Sequence, residues 1–364
     1  MRENQQVTKQ DGRGFFSDCC FLEIPEKSIR AIWEVTHYCP FNCTYCFTSS
    51  GPNIPLQDDY FQKNYIKIIG RLHDLGVKDV LVTGGEPLAL GKNIVHAMVR
   101  MKSAGMTFSI STTGYDLDRF QAVLEAGPQK VNLSFDPGLL GARMKSNIEE
   151  VKKRIALCLD ANVPVKLSGV IMPNEMMKVE KYLNSLPGLL KEFPNIRTIA
   201  DKERYHFGAY EKDRRFTSAE YEAYGKLFRS MKIPPGIQKF AWVNWPQLHA
   251  PLDQCLAGKS IMAVLPDGGY AACSLLFYLS ESFRLGNLLN DPIPLIQKKL
   301  ADYVEQQERK SAKLKNTDEL CSSCKVRTKC GTGCAAMLLV ANKPGAGPLC
   351  RFHALALREK EGQR

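Results

Sequence analysis

The sequence predicts an α/β protein with a partial (β/α)6 barrel of the TIM type, and three observations carry this prediction. Strand and helix patterns alternate through six units between residues 29 and 200. Such alternation is typical of a parallel sheet covered by helices. Six units are too few for the usual eight-stranded barrel, so we expect the barrel to stay open. With 364 residues, 44% of them hydrophobic, the chain can bury a large core.

The elements follow one another in a regular order. Short apolar runs such as IRAIWEVT and VKDVLVT predict strands at 29–36, 77–83, 107–112, 130–135, 163–171 and 196–200. Apolar residues at helical spacing, for example Tyr65, Ile68, Ile69 and Leu72, predict the first helix. The helices are expected at 56–75, 92–104, 117–126, 146–161 and 175–191.

The pattern changes after the sixth strand, so we expect four segments. A polar arm covers residues 1–28, the barrel 29–216, a bridging region 217–250 and a C-terminal domain 251–364. The bridging region has a helical pattern at 218–231, which is broken at Pro234 and Pro235. The last segment contains short strands, a turn at Asp267-Gly268-Gly269 and a charged helix at 294–313.

Composition and charge exclude several classes of protein. No apolar run approaches about 18 residues and the N-terminus is polar, so we expect a cytoplasmic protein without a membrane span. The net charge of +11 is dispersed and accompanies no RNA-binding motif, so no nucleic-acid partner is expected. Thirteen cysteines in a reducing compartment indicate metal binding rather than disulfides.

The first cysteine cluster follows the first strand directly. Cys39, Cys43 and Cys46 have the spacing C-x3-C-x2-C on a loop at the carboxyl end of that strand. Three such thiolates can hold three irons of a 4Fe–4S cube, and the fourth iron then needs a small ligand such as an amine-carboxylate. The alternative is a zinc knuckle, for which a fourth ligand such as His37 would be recruited.

These residues resemble the cluster motif of the radical S-adenosylmethionine (SAM) enzymes, and the likeness extends over the first 200 residues. Tyr45 occupies the aromatic position that this motif has before its last cysteine. Gly84, Gly85 and Glu86, followed by a proline, resemble the family's glycine-rich loop. The resemblance implies that backbone carbonyls of this loop approach the ammonium of SAM and that the Glu86 carboxylate adds charge.

Later strand ends resemble further parts of a SAM pocket. The stretch 111–114 is similar to the family's ribose-binding segment, although Thr113 stands where asparagine is usual. Arg143, or Lys145 nearby, is implied as the partner of the SAM carboxylate. Ser168, Gly169 and Val170 on the fifth strand resemble the segment that contacts adenine, and the alternative is that they only fill the interior of the barrel. The cofactor-binding residues implied in this way are Ser111, Thr113, Ser134, Asp136, Arg143 and Ser168.

The second cysteine cluster resembles the SPASM extension of radical SAM enzymes, which holds two auxiliary 4Fe–4S clusters. The resemblance implies one cluster on Cys321, Cys324, Cys330 and Cys350, and another on Cys255, Cys273 and Cys334. Zinc ribbons are the alternative. Seven cysteines leave one iron without a thiolate, so it is either open to substrate or closed by another residue. Cys19 and Cys20 are either a structural or incidental pair, or one of them is that ligand or a redox thiol. Cys158 is expected to be a buried apolar residue.

The resemblance implies that a reduced cluster splits SAM into methionine and a 5'-deoxyadenosyl radical, which removes a hydrogen atom from substrate. A substrate oxidation would also need a base. Asp201, Tyr205 and His206 follow the sixth strand and are the candidate catalytic residues. A solvated polar loop is the alternative interpretation of this stretch.

The SPASM branch mostly modifies peptides and proteins, so the resemblance implies a peptide substrate. Only 28 residues precede the first strand, which leads us to expect any leader peptide to be bound by a separate protein or by the barrel. A flavodoxin or ferredoxin is the expected reductant. The alternatives are a dehydrogenase or epimerase of a sugar, aminocyclitol or tetrapyrrole, and an iron–sulfur electron carrier without SAM chemistry.

Overall fold

The computed structural model describes residues 29–135 except 44 and 47, 147–171, 176–203, 237–241 and 255–322 except 318, with isolated positions between 223 and 234. Within these residues, one ten-stranded sheet has the order β10-β9-β8-β1-β2-β3-β4-β5-β6-β7. Its central strands are parallel and alternate with helices. The α/β class and the parallel sheet of the sequence prediction are therefore confirmed.

The six predicted strands and five predicted helices are present, with ends that differ by a few residues. The strands are β1 (Ile29–Glu34), β2 (Val77–Thr83), β3 (Thr107–Thr112), β4 (Val131–Ser134), β5 (Val165–Ile171) and β6 (Ile196–Glu203). The helices are α1 (Asp58–Asp74), α2 (Lys92–Ser103), α3 (Leu117–Glu125), α4 (Ile148–Asp160) and α5 (Met176–Glu192).

The sheet extends at both edges beyond the predicted barrel strands. At one edge β7 (Gln238–Ala241), which the sequence pattern did not indicate, pairs in parallel with β6. At the other edge β8 (Ile261–Val264) pairs in parallel with β1, and β9 (Gly269–Ala271) and β10 (Gly286–Asn287) continue as antiparallel strands. One sheet thus crosses the predicted boundaries at 217 and 251, and the domain division stays a prediction.

Three helices follow in the C-terminal part of the described chain. They are α6 (Ser274–Leu279), α7 (Ile293–Thr317) and α8 (Glu319–Ser322). Single 3-10 turns lie at Pro87–Leu90 and Glu281–Phe283. In the part of the chain that the structure describes, no helix is both long and apolar enough to cross a membrane.

The two faces of the sheet differ in character because successive side chains of a strand point to opposite sides. One face carries Trp33, Val80 and Val82, which belong to the core that packs against the helices. The opposite, inner face has only a small apolar cluster, Ile32, Leu81 and Ile261 with Leu256. It also carries polar and mostly buried residues, among them Arg30, Glu34, Asp79, Ser109, Asn132 and Lys166.

Helix α1 joins the barrel to the C-terminal region through hydrogen bonds. Arg71 Nε donates to the carbonyl of Leu288 at 2.9 Å, and the Tyr60 hydroxyl donates to the carbonyl of Asp267 at 2.8 Å. Asp267 also pairs with Arg284 at 2.8 Å and begins the turn between β8 and β9. These contacts fix the position of the segment that carries Cys273.

Candidate active site

The motifs that the resemblance singles out lie at one edge of the sheet. Strands β1 to β5 are parallel neighbours, so their carboxyl ends meet at the same edge. The register aligns Glu34 with Thr83, and Ser134 with Ser168. This edge carries, in chain order, the cysteine loop and residues 84–87, 111–114, 134 and 168.

The cysteine loop is folded back on itself by backbone hydrogen bonds. The amide of Cys39 donates to the carbonyl of Gly51 at 3.3 Å, and the amide of Cys46 donates to the carbonyl of Cys43 at 3.1 Å. Cys46 Sγ lies 3.1 Å from the hydroxyl oxygen of Thr48. All three thiols are free, with Cys39 and Cys43 buried and Cys46 half-buried. The loop therefore presents three sulfur donors that are free of disulfides.

The electrostatics of the loop favour a positively charged group between the sulfurs. Burial raises the pKa of the Cys39 thiol to about 12, and negative charge on Glu86, Cys43 and Cys46 adds to this effect. A bound iron cluster would supply the charge that keeps the thiols deprotonated. Among the described residues, no three His, Cys, Asp or Glu side chains are placed to hold a single metal ion. The donor set fits a cube, in which each thiolate binds an iron of its own.

Two buried polar atoms near the carboxyl ends of β4 and β5 on the inner face have no hydrogen-bond partner among the described residues. They are Asn132 Oδ1 on β4 and Ser168 Oγ on β5. An unpaired buried polar atom costs about 1–3 kcal/mol, so such atoms indicate a ligand or water that completes them. The hydroxyls and ring nitrogens of SAM are partners of this kind. Asn132 was missed by the sequence analysis, although a polar residue within the buried VNLS strand is a signal for it.

Gly84 and Gly85 are explained by a close approach of two backbone segments. The amide of Gly85 donates to the carbonyl of Thr36 at 2.6 Å, and the amide of Glu86 donates to the carbonyl of Tyr38 at 2.9 Å. A Cβ atom on Gly84 would clash with the Thr36 backbone, and one on Gly85 with the Tyr38 backbone. The glycines therefore let the loop after β2 hold the start of the cysteine loop.

The Glu86 carboxylate is enclosed by donors from the protein itself. Oε1 accepts from the amide of Leu88 at 3.2 Å and from the Thr112 hydroxyl. Oε2 accepts from the amide and the hydroxyl of Thr113 at 2.8 Å and 2.6 Å. Burial raises the pKa of Glu86, and these four donors oppose the rise. The carboxylate links the loops after β2 and β3, and its predicted contact with SAM stays a prediction.

We expect Glu86→Gln to destabilise the protein by about 1–3 kcal/mol. An amide group presents one acceptor oxygen in place of two, so donors from Thr112 or Thr113 lose their partner at a buried position. Thermal unfolding measures the change. The matched control is Glu125→Gln on the exposed face of α3, for which a change within about 0.5 kcal/mol is expected. Equal effects of the two substitutions would contradict the proposed role of Glu86.

Arg154 holds the loop that follows β3, and the sequence analysis did not identify this residue. Its Nε donates to the carbonyl of Gly114 at 2.7 Å, and its guanidinium also contacts the carbonyl of Glu150. Gly114 has a positive φ of 66°, and an added Cβ would lie 2.9 Å from Arg154 Cδ. The signal for this role is that Arg154 shares the buried face of α4 with Val151 and Cys158.

Cys255 and Cys273 lie on adjacent segments of the C-terminal region. The amide of Gly258 donates to the carbonyl of Ala272 at 3.2 Å, which joins the two segments. Cys273 is buried and immediately precedes α6, and Cys255 is half-buried. Cys158 is free and fully buried, as predicted.

Several predicted site residues lie outside the described part of the chain. Of Cys321, in α8, and Asp201, in β6, only the backbone is described. Eleven further residues lie wholly outside the described part of the chain: Asp136, Arg143, Lys145, Tyr205, His206, Cys19, Cys20, Cys324, Cys330, Cys334 and Cys350. The predictions for all of these residues remain untested.

Comparison with known proteins identifies both a sequence family and related folds. Residues 33–186 match the model of the Radical SAM superfamily. The chain is 33% identical over 274 residues to a probable GTP 3',8-cyclase of Methanothermobacter thermautotrophicus, which covers 69% of this chain and 85% of that protein. It is 27% identical over 214 residues to a PqqA peptide cyclase of Granulibacter bethesdensis, which covers 54% of this chain and 53% of that protein.

Two solved structures share the fold over most of the chain. Streptococcus suis SuiB superimposes with a TM-score of 0.64 at 13% sequence identity. The alignment covers 89% of this chain and 77% of the SuiB chain. The protein anSMEcpe, solved with bound AdoMet, superimposes with a TM-score of 0.62 at 16% sequence identity. The alignment covers 91% of this chain and 95% of the anSMEcpe chain. At these identities the likeness is one of fold.

Proposed function

Because this chain belongs to the radical SAM superfamily, we propose that it binds a 4Fe–4S cluster through Cys39, Cys43 and Cys46 and cleaves S-adenosyl-L-methionine. The observation that carries the proposal is the juxtaposition of this loop of free thiols with buried, unpartnered polar atoms at one sheet edge. When bound, the cluster and SAM supply an electron and the 5'-deoxyadenosyl radical that removes hydrogen from the substrate.

The residues of this chain bind and orient these groups. The three cysteines would each bind one iron of the cube, which would leave the fourth iron to the amine and carboxylate of SAM. Ser168 and Asn132 offer unpaired polar atoms to the nucleoside part, and Ser111, Thr113 and Ser134 lie at the same edge. Asn132 and Ser168 lie on the inner face of the sheet, opposite the face that packs against the helices.

The remaining pocket residues are assigned by resemblance. Asp136 and Arg143 would bind the polar ends of SAM, with Arg143 neutralising its carboxylate. Asp201, Tyr205 or His206 would accept the proton that a substrate oxidation releases. These roles are proposals that rest on sequence position: Asp136 and Arg143 follow β4, Asp201 lies within β6, and Tyr205 and His206 come after it.

We further propose that the C-terminal cysteines bind two auxiliary 4Fe–4S clusters. The ligands are Cys321, Cys324, Cys330 and Cys350 for one cluster and Cys255, Cys273 and Cys334 for the other. The contact between the segments of Cys255 and Cys273 supports the second set. An iron without a thiolate there would orient the substrate or take an electron from it.

The substrate that we propose is a peptide, modified in the cytoplasm. The similarity to a PqqA peptide cyclase supports a peptide, and the net charge of +11 suits an acidic leader segment. The expected partners are a flavodoxin or ferredoxin as reductant and a separate leader-binding protein.

A small molecule is the second candidate substrate, and the similarity to GTP 3',8-cyclases favours a nucleotide. The positive net charge would attract a triphosphate as well as an acidic peptide. The substrate classes named by the sequence resemblance, a sugar, an aminocyclitol or a tetrapyrrole, belong to the same alternative.

The two substrates are separated by one set of assays. The anaerobically reconstituted protein is incubated with dithionite and SAM, alone, with GTP, or with short peptides encoded next to its gene. We expect deoxyadenosine in every reaction and a mass change in one peptide. Stimulation of deoxyadenosine formation by GTP with conversion of GTP would favour the nucleotide instead. The absence of deoxyadenosine from every reaction would contradict the proposed function itself.

A further inference from the structure

A partly buried hydrogen-bonded cluster joins the cysteine loop to the C-terminal region. Its members are Glu34 at the end of β1, His37 in the loop and Tyr278 in α6. The Tyr278 hydroxyl contacts Glu34 Oε2. His37 Nε2 lies 2.9 Å from the Tyr278 oxygen and 3.3 Å from Glu34 Oε2. The sequence analysis considered His37 as a zinc ligand, but its Nε2 is already engaged here.

The donors and acceptors of this cluster can be assigned from its geometry. The Tyr278 hydroxyl carries a single hydrogen, which it donates in a hydrogen bond to the Glu34 carboxylate. Glu34 is 1% exposed. We therefore assign the N–H to His37 Nε2, which donates it to the phenolic oxygen. Burial of Tyr278 and the Glu34 charge raise the pKa of the phenol, so Tyr278 remains a donor.

The cluster lies beside the third cysteine of the loop. Negative charge on Cys46 contributes to the raised pKa of Tyr278, which places the phenol within electrostatic range of that sulfur. His37 is two residues from Cys39 along the chain. The Glu34 carboxylate is consequently a buried group next to the site proposed for the SAM-binding cluster.

Helix α6 connects this cluster to the other cysteine region. Cys273 immediately precedes the helix and Tyr278 lies on it, five residues further on. At a rise of about 1.5 Å per residue the two positions are about 7.5 Å apart along the axis. Tyr278 is 244 residues from Glu34 in sequence, so this contact joins distant parts of the chain.

We propose that Tyr278 is a positioning residue that ties the C-terminal region to the cysteine loop and holds the Glu34 anion beside the bound cluster. The inference rests on the proposed function because it requires a cluster on Cys39, Cys43 and Cys46. A nearby negative charge disfavours the extra electron of a reduced cluster, so Glu34 lowers its reduction potential. Tyr278 stabilises that charge by donating a hydrogen bond to it.

The test compares two variants of the cluster with a matched control. Tyr278→Phe removes the donor, and Glu34→Gln removes the charge with little change of shape. The control is Tyr270→Phe, which removes the hydroxyl of a buried tyrosine that bonds to Asp291 at 3.1 Å elsewhere in the C-terminal region. Each full-length protein is reconstituted anaerobically and titrated electrochemically, with the electron paramagnetic resonance signal as the readout. The SAM-binding cluster is identified as the one whose signal changes when SAM is added.

We expect Glu34→Gln to favour reduction of this cluster by about tenfold, which is a rise of about 59 mV for one electron. Tyr278→Phe is expected to lower the potential instead, because the Glu34 carboxylate then loses the hydrogen bond that partly offsets its charge. Tyr270→Phe is expected to leave the potential unchanged. A wild-type potential and line shape in both cluster variants would overturn the inference while leaving the proposed function intact. If Tyr278→Phe fails to retain iron, Glu34→Gln alone decides the question. A wild-type protein without a SAM-responsive signal would overturn the proposed function as well.

Discussion

Replacement of Cys39, Cys43 and Cys46 together by alanine is expected to abolish deoxyadenosine formation. The three sulfurs lie on one loop as free thiols, and without them no other described group is placed to hold iron there. Product analysis of the reaction with dithionite and SAM measures the loss. Iron bound by the C-terminal cysteines should remain, so iron content is expected to fall only in part.

The control for this experiment is Cys158→Ala, which makes the same chemical change at one site. Cys158 is fully buried in the core on α4, and burial raises the pKa of its thiol to about 12. We expect a modest loss of stability and an unchanged amount of deoxyadenosine, because this cysteine lies among apolar residues. Survival of SAM cleavage in the triple variant would contradict the assignment of the cluster.

Gly85→Ala is expected to destabilise the protein by more than about 4 kcal/mol and to prevent cluster binding. A Cβ at this position would clash with the backbone at Tyr38, directly before Cys39, and a backbone neighbour cannot be moved by a side-chain rotation. The cysteine loop would have to shift, and the positions of its three sulfurs would change with it. Thermal unfolding and the ratio of iron to protein measure the two consequences.

Gly70→Ala is the matched control for that substitution. Gly70 lies in α1, and an added Cβ there meets no atom within 4 Å. Alanine in a helix interior is more favourable than glycine by about 0.5–1 kcal/mol, so this variant should be slightly more stable than the wild type. Normal iron content in Gly85→Ala would show that the two loops do not pack as described.

The sequence predicted the regular elements well because each carries a local periodic signal. The run VKDVLVT at Val77–Thr83 became a strand with those limits, and helix α1 ended within one residue of its expected limit. Strand β7 was missed since its four residues, QKFA, show no apolar alternation. The pairing of β8 with β1 joins residues more than 200 positions apart, which no local pattern encodes.

The candidate site shows the same division between local and distant information. The arrangement of motifs at the carboxyl edge follows from a parallel sheet and could be predicted. The direction of the Glu86 carboxylate could not, because its donors Thr112 and Thr113 come from the neighbouring strand. The contact of Glu34 with Tyr278 likewise depends on how the C-terminal region folds back.

The central claim is that three cysteines hold a 4Fe–4S cube with one iron free to bind SAM. Mössbauer spectroscopy of protein reconstituted with iron-57 tests it directly. Addition of SAM is expected to change the spectrum of a single iron site in the wild type, and the change should be absent when Cys39, Cys43 and Cys46 are replaced by alanine. Oxygen-free protein that contains no iron, or iron sites that SAM leaves unaltered, would contradict the claim.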